Sequence, residues 1–285
     1  MCWLDYGERH SNHTVVGTLK QREAVYSPQL DNYRNLLVWL PPDYATTTRR
    51  YPVLYLHDGQ NLFDQFTSYS GEWRVDETML QLSYEGYPAI IVGVPNMGSQ
   101  RINEYSPFHD PHFGGGRGEQ YVAFIAKTLK PMIDQEFRTL PQRQHTGIVG
   151  SSMGGLISLY GFFHQADVFG CVASLSPSLW FARKAIFRYV TEASYQPGSV
   201  YLDVGGREGP SGAEAVRGAG QPNLTLRTTR EMQRLLRSKG YRPDTDLLYI
   251  EAPEATHSEA AWAERLPGAL RFLLWGMYAA SAIQG

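Results

Sequence analysis

Two short segments of the chain are apolar at every position. They are Val53–Leu56 and Ala89–Val92, and neither has a polar face. A strand with one solvent-exposed face alternates apolar and polar residues, whereas a strand covered on both faces does not. These segments therefore predict central strands of a parallel sheet that lies between two layers of helices.

Similar strand-like runs recur along the chain, and helical patterns separate the later ones. We predict strands at residues 14–19, 35–40, 53–57, 89–94, 146–149, 170–175, 199–204 and 247–251. Apolar residues at helical spacing predict helices at 74–82, 119–137, 153–163, 228–239 and 259–277. No helical pattern separates the first two strands, so an antiparallel start leads into a βαβ body. The expected fold is α/β, with a mostly parallel sheet of about eight strands and helices on both faces.

The chain has no internal repeat and no Ser/Gly-rich linker, so we expect one domain over residues 1–285. The stretch 205–223 is rich in Gly, Ala and Pro between a predicted strand and helix. It is expected to be a rim loop, and such loops often carry binding function.

Charge and cysteine content exclude several classes of protein. Lys and Arg number 26 against 28 Asp and Glu, so the chain lacks the basic excess of proteins that bind nucleic acid or anionic membranes. Cys2 and Cys171 are too few for a disulfide framework or a cysteine metal site. The first residues lack the basic and apolar regions of a signal peptide. We therefore expect a cytoplasmic protein with a small-molecule substrate.

A G-x-S-x-G sequence is centred on Ser152. The pattern has chemical meaning only where a strand leads into it and a helix follows, as predicted here. A nucleophile on such a turn has a strained backbone and needs small neighbours, which Gly150 and Gly154 supply together with the following Gly155. We predict that Ser152 is a nucleophile. Ser151 occupies the first x position of the motif, and its side chain is expected to face away from the active site.

An α/β-hydrolase that uses this serine requires an acid and then a histidine later in the chain. Only His164 and His257 follow Ser152, and His164 falls within the predicted helix after the turn. His257 follows the last predicted strand, where it can serve as general base. Glu208, just beyond the strand at 199–204, is favoured as the acid, with Asp203 inside that strand as the alternative.

Two backbone N–H groups are expected to bind the oxyanion. The first is that of Met153, at the N-terminus of the predicted helix. The second should come from the loop after the strand at 53–57, where Gly59 permits close approach and Gln60, or else Asn61, would be the donor.

Other polar clusters in the sequence favour no metal or cofactor. His112–Gly116 resembles an oxyanion-hole motif but follows no strand, so we interpret it as a rim loop. Asp58, Asn61 and Asp64 do not match the spacing of a calcium loop. The segment His109–His112 is interpreted as a turn. We expect an enzyme without a metal or cofactor.

Taken together, these motifs resemble those of the putative esterase family of α/β-hydrolases. The similarity runs from about residue 34 onward, and its main carriers are the segments 53–63, 103–108, 150–156, 175–178 and 256–259 followed by Trp262. The family includes esterase D-type S-formylglutathione hydrolases, enterochelin esterases, feruloyl and acetylxylan esterases and mycolyltransferases. The context of His257 resembles the enterochelin esterase branch more than the S-formylglutathione hydrolase branch. The resemblance implies Ser152 as nucleophile, His257 as base and the acidic residue of the turn 205–208 as acid.

The sequence thus predicts a serine carboxylesterase that hydrolyses small or medium esters through an acyl-enzyme. Two other functions share the same sequence features. One is acyl transfer to an acceptor other than water by the same triad, and the other is a catalytically silent α/β-hydrolase that binds a ligand. The sequence does not indicate the oligomeric state or the acyl chain length.

Overall fold

The computed structural model describes residues 2–208 and 223–282. Within these ranges nine strands form one sheet in the order β1-β2-β3-β5-β4-β6-β7-β8-β9. The strands are β1 Leu4–Asp5, β2 Thr18–Ser27, β3 Asn32–Leu40, β4 Val53–His57, β5 Ile90–Val94, β6 Thr146–Ser151, β7 Cys171–Leu175, β8 Ser199–Gly205 and β9 Leu247–Ala252. β4 to β9 are mutually parallel, and β1, β2 and β3 join antiparallel.

Helices cover both faces of this sheet. The helices are α1 Val75–Tyr84, α2 Arg101–Glu104, α3 Gly118–Phe124, α4 Lys130–Glu136, α5 Met153–His164, α6 Phe181–Glu192, α7 Leu224–Ser238 and α8 Glu259–Ala282. Residues of α1 and α8 pack on one face, and residues of α3 to α7 pack on the other. The prediction of an α/β-hydrolase fold with helices on both faces is confirmed. Among the described residues, no helix is long and apolar enough to cross a bilayer.

The central strand β4 shows why its sequence lacks a polar face. Val53 and Tyr55 lie in the core beneath α3 to α7, whereas Leu54 and Leu56 lie in the core beneath α1 and α8. All four are almost fully buried. Each burial of such a side chain contributes about 1.5–3 kcal/mol, so both faces of the strand must be apolar.

Several elements differ from the sequence predictions, among them the short β1 and α2, which were not predicted. The first long strand is β2, Thr18–Ser27, rather than 14–19. One face of β2 is exposed and polar, so the strand does not form the continuous apolar run on which the prediction was based. Helix α6 was not predicted, and left-handed backbone at 182–184 interrupts its period. The predicted helix 119–137 is divided by a π-helical turn at Ile125–Leu129. Most of the predicted rim loop 205–223 lies outside the described residues.

Candidate active site

Three strands of the parallel part of the sheet, β6, β8 and β9, bring the predicted site residues to one edge, with β7 between β6 and β8. Ser152 directly follows β6, Glu208 follows β8 by three residues, and His257 follows β9. The strands between them pair in register from β6 through β7 and β8 to β9. Because the carboxyl ends of parallel strands open on the same edge, residues far apart in the chain meet there.

Ser152 occupies a strained turn between β6 and α5. Its φ of 56° and ψ of −123° lie in a region that non-glycine residues rarely adopt. The turn is held by its backbone, since the Ser152 N–H donates to the Leu175 carbonyl at 3.0 Å and the Ser178 N–H donates to the Ser152 carbonyl at 3.0 Å. Helix α5 starts at the next residue, Met153. The strand–turn–helix context predicted for this motif is therefore present.

The glycines of the turn differ in how much space they have. A Cβ at Gly150 would lie 2.7 Å from backbone atoms of Gly154 and from His57 Cδ2, whereas a Cβ at Gly154 would meet nothing closer than 3.5 Å. At Gly155 the nearest atom would be at 3.0 Å. The sequence requirement for small residues is therefore strict at Gly150, and Gly154 has room for a methyl group.

We expect Gly150→Ala to lower the free energy of unfolding by about 3 kcal/mol, since the new methyl group meets backbone that cannot move aside. Gly154→Ala should change it by less than about 1 kcal/mol, because the methyl group fits and alanine favours helix. Urea denaturation followed by circular dichroism measures both. Equal stability of the two variants would contradict this account of the turn.

The side chains of Ser152, His257 and Glu208 form a continuous hydrogen-bonded chain. His257 Nε2 lies 3.0 Å from Ser152 Oγ, and His257 Nδ1 lies 3.0 Å from Glu208 Oε2. The Glu208 side chain is fully buried and that of His257 is 16% exposed. This order of groups allows a serine proton to pass to an imidazole whose opposite edge is held by a carboxylate.

Asp203, the alternative acid, has other partners. It forms an ion pair with Arg265 at 2.8 Å and accepts hydrogen bonds from Tyr201 Oη at 3.0 Å and from the Ser176 N–H at 3.0 Å. Burial raises the pKa of Asp203, while Arg265 acts in the opposite direction. The geometry thus places Glu208, and not Asp203, against the imidazole of His257.

A layer of polar residues behind Glu208 was not predicted from the sequence. Ser176 Oγ donates to Glu208 Oε1, and the Gly205 N–H donates to the same oxygen at 2.6 Å. Ser176 Oγ in turn accepts hydrogen bonds from Trp262 Nε1 at 3.0 Å and from Arg265 at 2.8 Å. These residues fix the orientation of the carboxylate. Their sequence signal is weak because they come from three separate parts of the chain, namely the residue after β7, the end of β8 and the start of α8.

The two predicted oxyanion donors stand at the start of α5 and in the loop after β4. The N–H of Met153 has no carbonyl acceptor within its own helix, because it belongs to the first turn. In the loop, the Asn61 N–H donates to the Asp58 carbonyl at 2.8 Å, so it is not available to bind an oxyanion. Gln60 lines the same cleft as Ser152 and His257. Between the two loop alternatives, the geometry favours Gln60.

The site lies in a cleft of about 1060 Å³. Trp73 and Trp262 line one part of it, with ring centroids 5.8 Å apart, and Trp262 also contacts the His257 ring edge-to-face at 4.9 Å. Asp58 and Arg101 line another part and form a bidentate ion pair with distances of 2.8 Å. Arg101 keeps the pKa of Asp58 below its usual range despite burial. The cleft therefore offers both an aromatic wall and a charged wall.

The remaining polar clusters singled out in the sequence have protein partners. Asp64 accepts hydrogen bonds from Tyr6 Oη at 2.8 Å and from the Phe66 N–H at 3.1 Å. The segment around Asp110 forms a turn, in which the Asp110 side chain accepts from the His112 N–H at 2.9 Å and the backbone pairs with Gly114. These contacts agree with the interpretation of both segments as loops.

Comparison with known proteins gives a consistent family. A family model described as "Putative esterase" matches residues 27–273. The uncharacterized protein YbbA of Bacillus subtilis is 25% identical over 249 residues, which are 84% of this chain and 92% of that protein. An IroE-like serine hydrolase from Shewanella oneidensis superposes with a TM-score of 0.69 and 22% identity, covering 89% of this chain and 79% of that one. A ferulic acid esterase superposes with a TM-score of 0.67 and 19% identity, covering 90% of this chain and 98% of that one.

Proposed function

This chain belongs to the "Putative esterase" family and is a hydrolase that acts on esters, and from that premise we propose that Ser152, His257 and Glu208 are its catalytic triad. The observation that carries the proposal is the pair of 3.0 Å contacts that join Ser152 Oγ to His257 and His257 to Glu208. The main-chain N–H groups of Met153 and Gln60 complete the site as the oxyanion hole.

The proposed reaction has two halves. Ser152 Oγ attacks the ester carbonyl while His257 Nε2 accepts its proton, and the two main-chain N–H groups stabilise the tetrahedral oxyanion. The intermediate collapses to an acyl-enzyme as His257 protonates the leaving alcohol. Water, deprotonated by His257, then attacks the acyl carbon, and the carboxylic acid leaves as Ser152 regains its proton. Glu208 fixes the imidazole tautomer and stabilises the imidazolium in both halves.

Small or medium esters fit this cleft best. Its volume of about 1060 Å³ is at the upper end of the range of small-molecule sites. The part of the cleft lined by Trp73 and Trp262 suits an acyl or aryl group, and the part lined by Asp58 and Arg101 suits polar substituents of the ester. No metal or cofactor takes part in this proposed chemistry.

Hydrolysis of short p-nitrophenyl esters tests the proposal. We expect turnover by the unaltered protein and a loss of about 10⁶-fold in kcat for Ser152→Ala, because the nucleophile is removed. Ser158→Ala makes the same change in α5, at a hydroxyl that donates to the Gly154 carbonyl at 2.8 Å, and serves as the matched control that should keep its activity. A folded protein that hydrolyses none of these esters would favour the silent binding protein.

Product analysis separates hydrolysis from acyl transfer. In buffer that contains a simple alcohol, an esterase should release mainly the carboxylic acid. Predominant formation of the exchanged ester would favour the acyltransferase alternative, which uses the same triad. The single domain over residues 1–285 and the cytoplasmic location stay predictions.

A further inference from the structure

Three carboxylates meet where the start of α1 and the segment just before it contact the N-terminal segment. They belong to Glu72, Asp76 and Glu77, and one oxygen from each lies within 4.8 Å of the others. The nearest cation is Arg74, whose Nε is 3.4 Å from Glu77 Oε1 and whose side chain is 67% exposed. Such an exposed ion pair contributes little to the balance of charge in the cluster.

Two oxygens in this acidic cluster are buried and lack a hydrogen-bond partner. Asp76 is fully buried, and its Oδ2 accepts from the Val16 N–H at 2.7 Å, while its Oδ1 has none. Glu77 Oε2 is likewise buried without a partner. Buried carboxylate oxygens normally accept hydrogen bonds or bind a cation, because leaving them unpaired costs several kcal/mol.

Burial and the proximity of the other carboxyls act on the acidic groups of this cluster. Burial raises the pKa of Asp76 to about 8 and that of Glu72 to about 6, and Glu77 adds to both shifts. By contrast, Asp64 nearby has a lowered pKa, since its backbone and side-chain donors outweigh burial.

We propose that Glu72, Asp76 and Glu77 bind a Ca²⁺ ion. All the ligands are oxygens, which hard cations prefer, and the absence of histidine and cysteine from this set disfavours softer metals. Oxygens within 4.8 Å of one another can share one Ca²⁺, whose opposite ligands stand about 4.6–5.2 Å apart. Opposite ligands of Mg²⁺ stand only about 4.0–4.2 Å apart, so that ion demands a tighter cage.

The ion would connect three parts of the structure. Thr14 Oγ1 lies 3.4 Å from Glu72 Oε2 and 3.3 Å from Asp64 Oδ1, and so links the N-terminal segment to the cluster. Glu72 adjoins Trp73, whose N–H donates to the Asn61 carbonyl at 2.8 Å in the loop that carries Gln60. Bound Ca²⁺ would therefore stabilise the loop on which the proposed oxyanion hole depends. The site itself stands independently of the proposed catalytic function.

Calorimetric titration of EDTA-treated protein with CaCl₂ tests the site, together with the melting temperature with and without Ca²⁺. We expect binding and a raised melting temperature in the unaltered protein, because a ligand of the folded state stabilises it. Asp76→Asn should lose the shift. Glu72→Gln, at a half-exposed position that tolerates the change, should weaken binding at least about 10-fold. Glu8→Gln removes the same charge at an exposed site and should bind like the unaltered protein.

Other results would overturn the assignment. Absence of any Ca²⁺ binding up to about 10 mM, a concentration above the dissociation constants of the weakest protein sites, would overturn the proposal. A proton shared between Asp76 and Glu77 would then account for their buried oxygens. An undiminished shift in both Asp76→Asn and Glu72→Gln would place the ion elsewhere. Mg²⁺ binding as tight as that of Ca²⁺ would contradict the geometric argument for the larger ion.

Discussion

His257→Gln should lower kcat for ester hydrolysis by about 10⁵–10⁶-fold without unfolding the protein. Glutamine preserves much of the side-chain volume but cannot take the Ser152 proton, which His257 Nε2 is placed to accept at 3.0 Å. Removal of the base from such a triad costs nearly as much as removal of the nucleophile. Steady-state kinetics with a p-nitrophenyl ester and a circular dichroism spectrum provide the measurement.

His164→Gln is the matched control for this change. His164 is the other histidine that follows Ser152, and it lies at the end of α5, stacked on Tyr160 and 3.3 Å from Tyr189 Oη. It should retain kcat within about 3-fold, since these contacts concern packing and substitutions at partly exposed positions usually have small effects. Loss of activity in His164→Gln with retention in His257→Gln would refute the assignment of the base.

Glu208→Gln should reduce kcat by about 10³–10⁴-fold, because a neutral amide favours the wrong imidazole tautomer and does not stabilise the imidazolium. Asp203→Asn is the comparison, since it makes the same chemical change at a carboxylate that also lies at the end of β8. Its main effect should be on stability, because Arg265 would lose the ion pair at 2.8 Å. Removal of one partner of a buried ion pair lowers the free energy of unfolding by about 3–5 kcal/mol.

The two variants should therefore differ in kind. Glu208→Gln should combine a large kinetic defect with a modest change in the urea midpoint, and Asp203→Asn should show the reverse. If Asp203→Asn abolished turnover and Glu208→Gln did not, Asp203 would be the acid. The hydrogen bonds that Ser176 Oγ and the Gly205 N–H donate to Glu208 would then have to rearrange, because they now orient its carboxylate.

Much of the fold followed from local patterns. The central strands are buried on both faces, so their apolar runs were readable without knowledge of their neighbours, as at Val53–His57. Helix α5 was predictable from the turn that precedes it. Strand β2 was misplaced because its half-exposed pattern depends on which face β3 and the core cover, and that is a tertiary property.

The site divides in the same way. Ser152 and His257 carry sequence signals, namely the glycine turn and the order of the chain. Glu208 was preferred to Asp203 because of its position relative to the strand. The structural reason is that Asp203 pairs with Arg265, which lies in a helix 62 residues later in the chain. Likewise, the buried oxygens of Asp76 and Glu77 are isolated by packing, which no pattern of residue types reveals.

Covalent labelling tests the central proposal most directly. The protein is treated with a fluorophosphonate, digested and analysed by mass spectrometry, with Ser152→Ala treated in parallel. The triad geometry predicts a single adduct on Ser152 and none in the variant, because within residues 2–208 and 223–282 only this hydroxyl lies both at hydrogen-bond distance from the His257 imidazole and directly before α5. An adduct on Ser151 or on Ser178, whose Oγ lies 3.3 Å from that of Ser152, or no adduct on a folded protein, would contradict it.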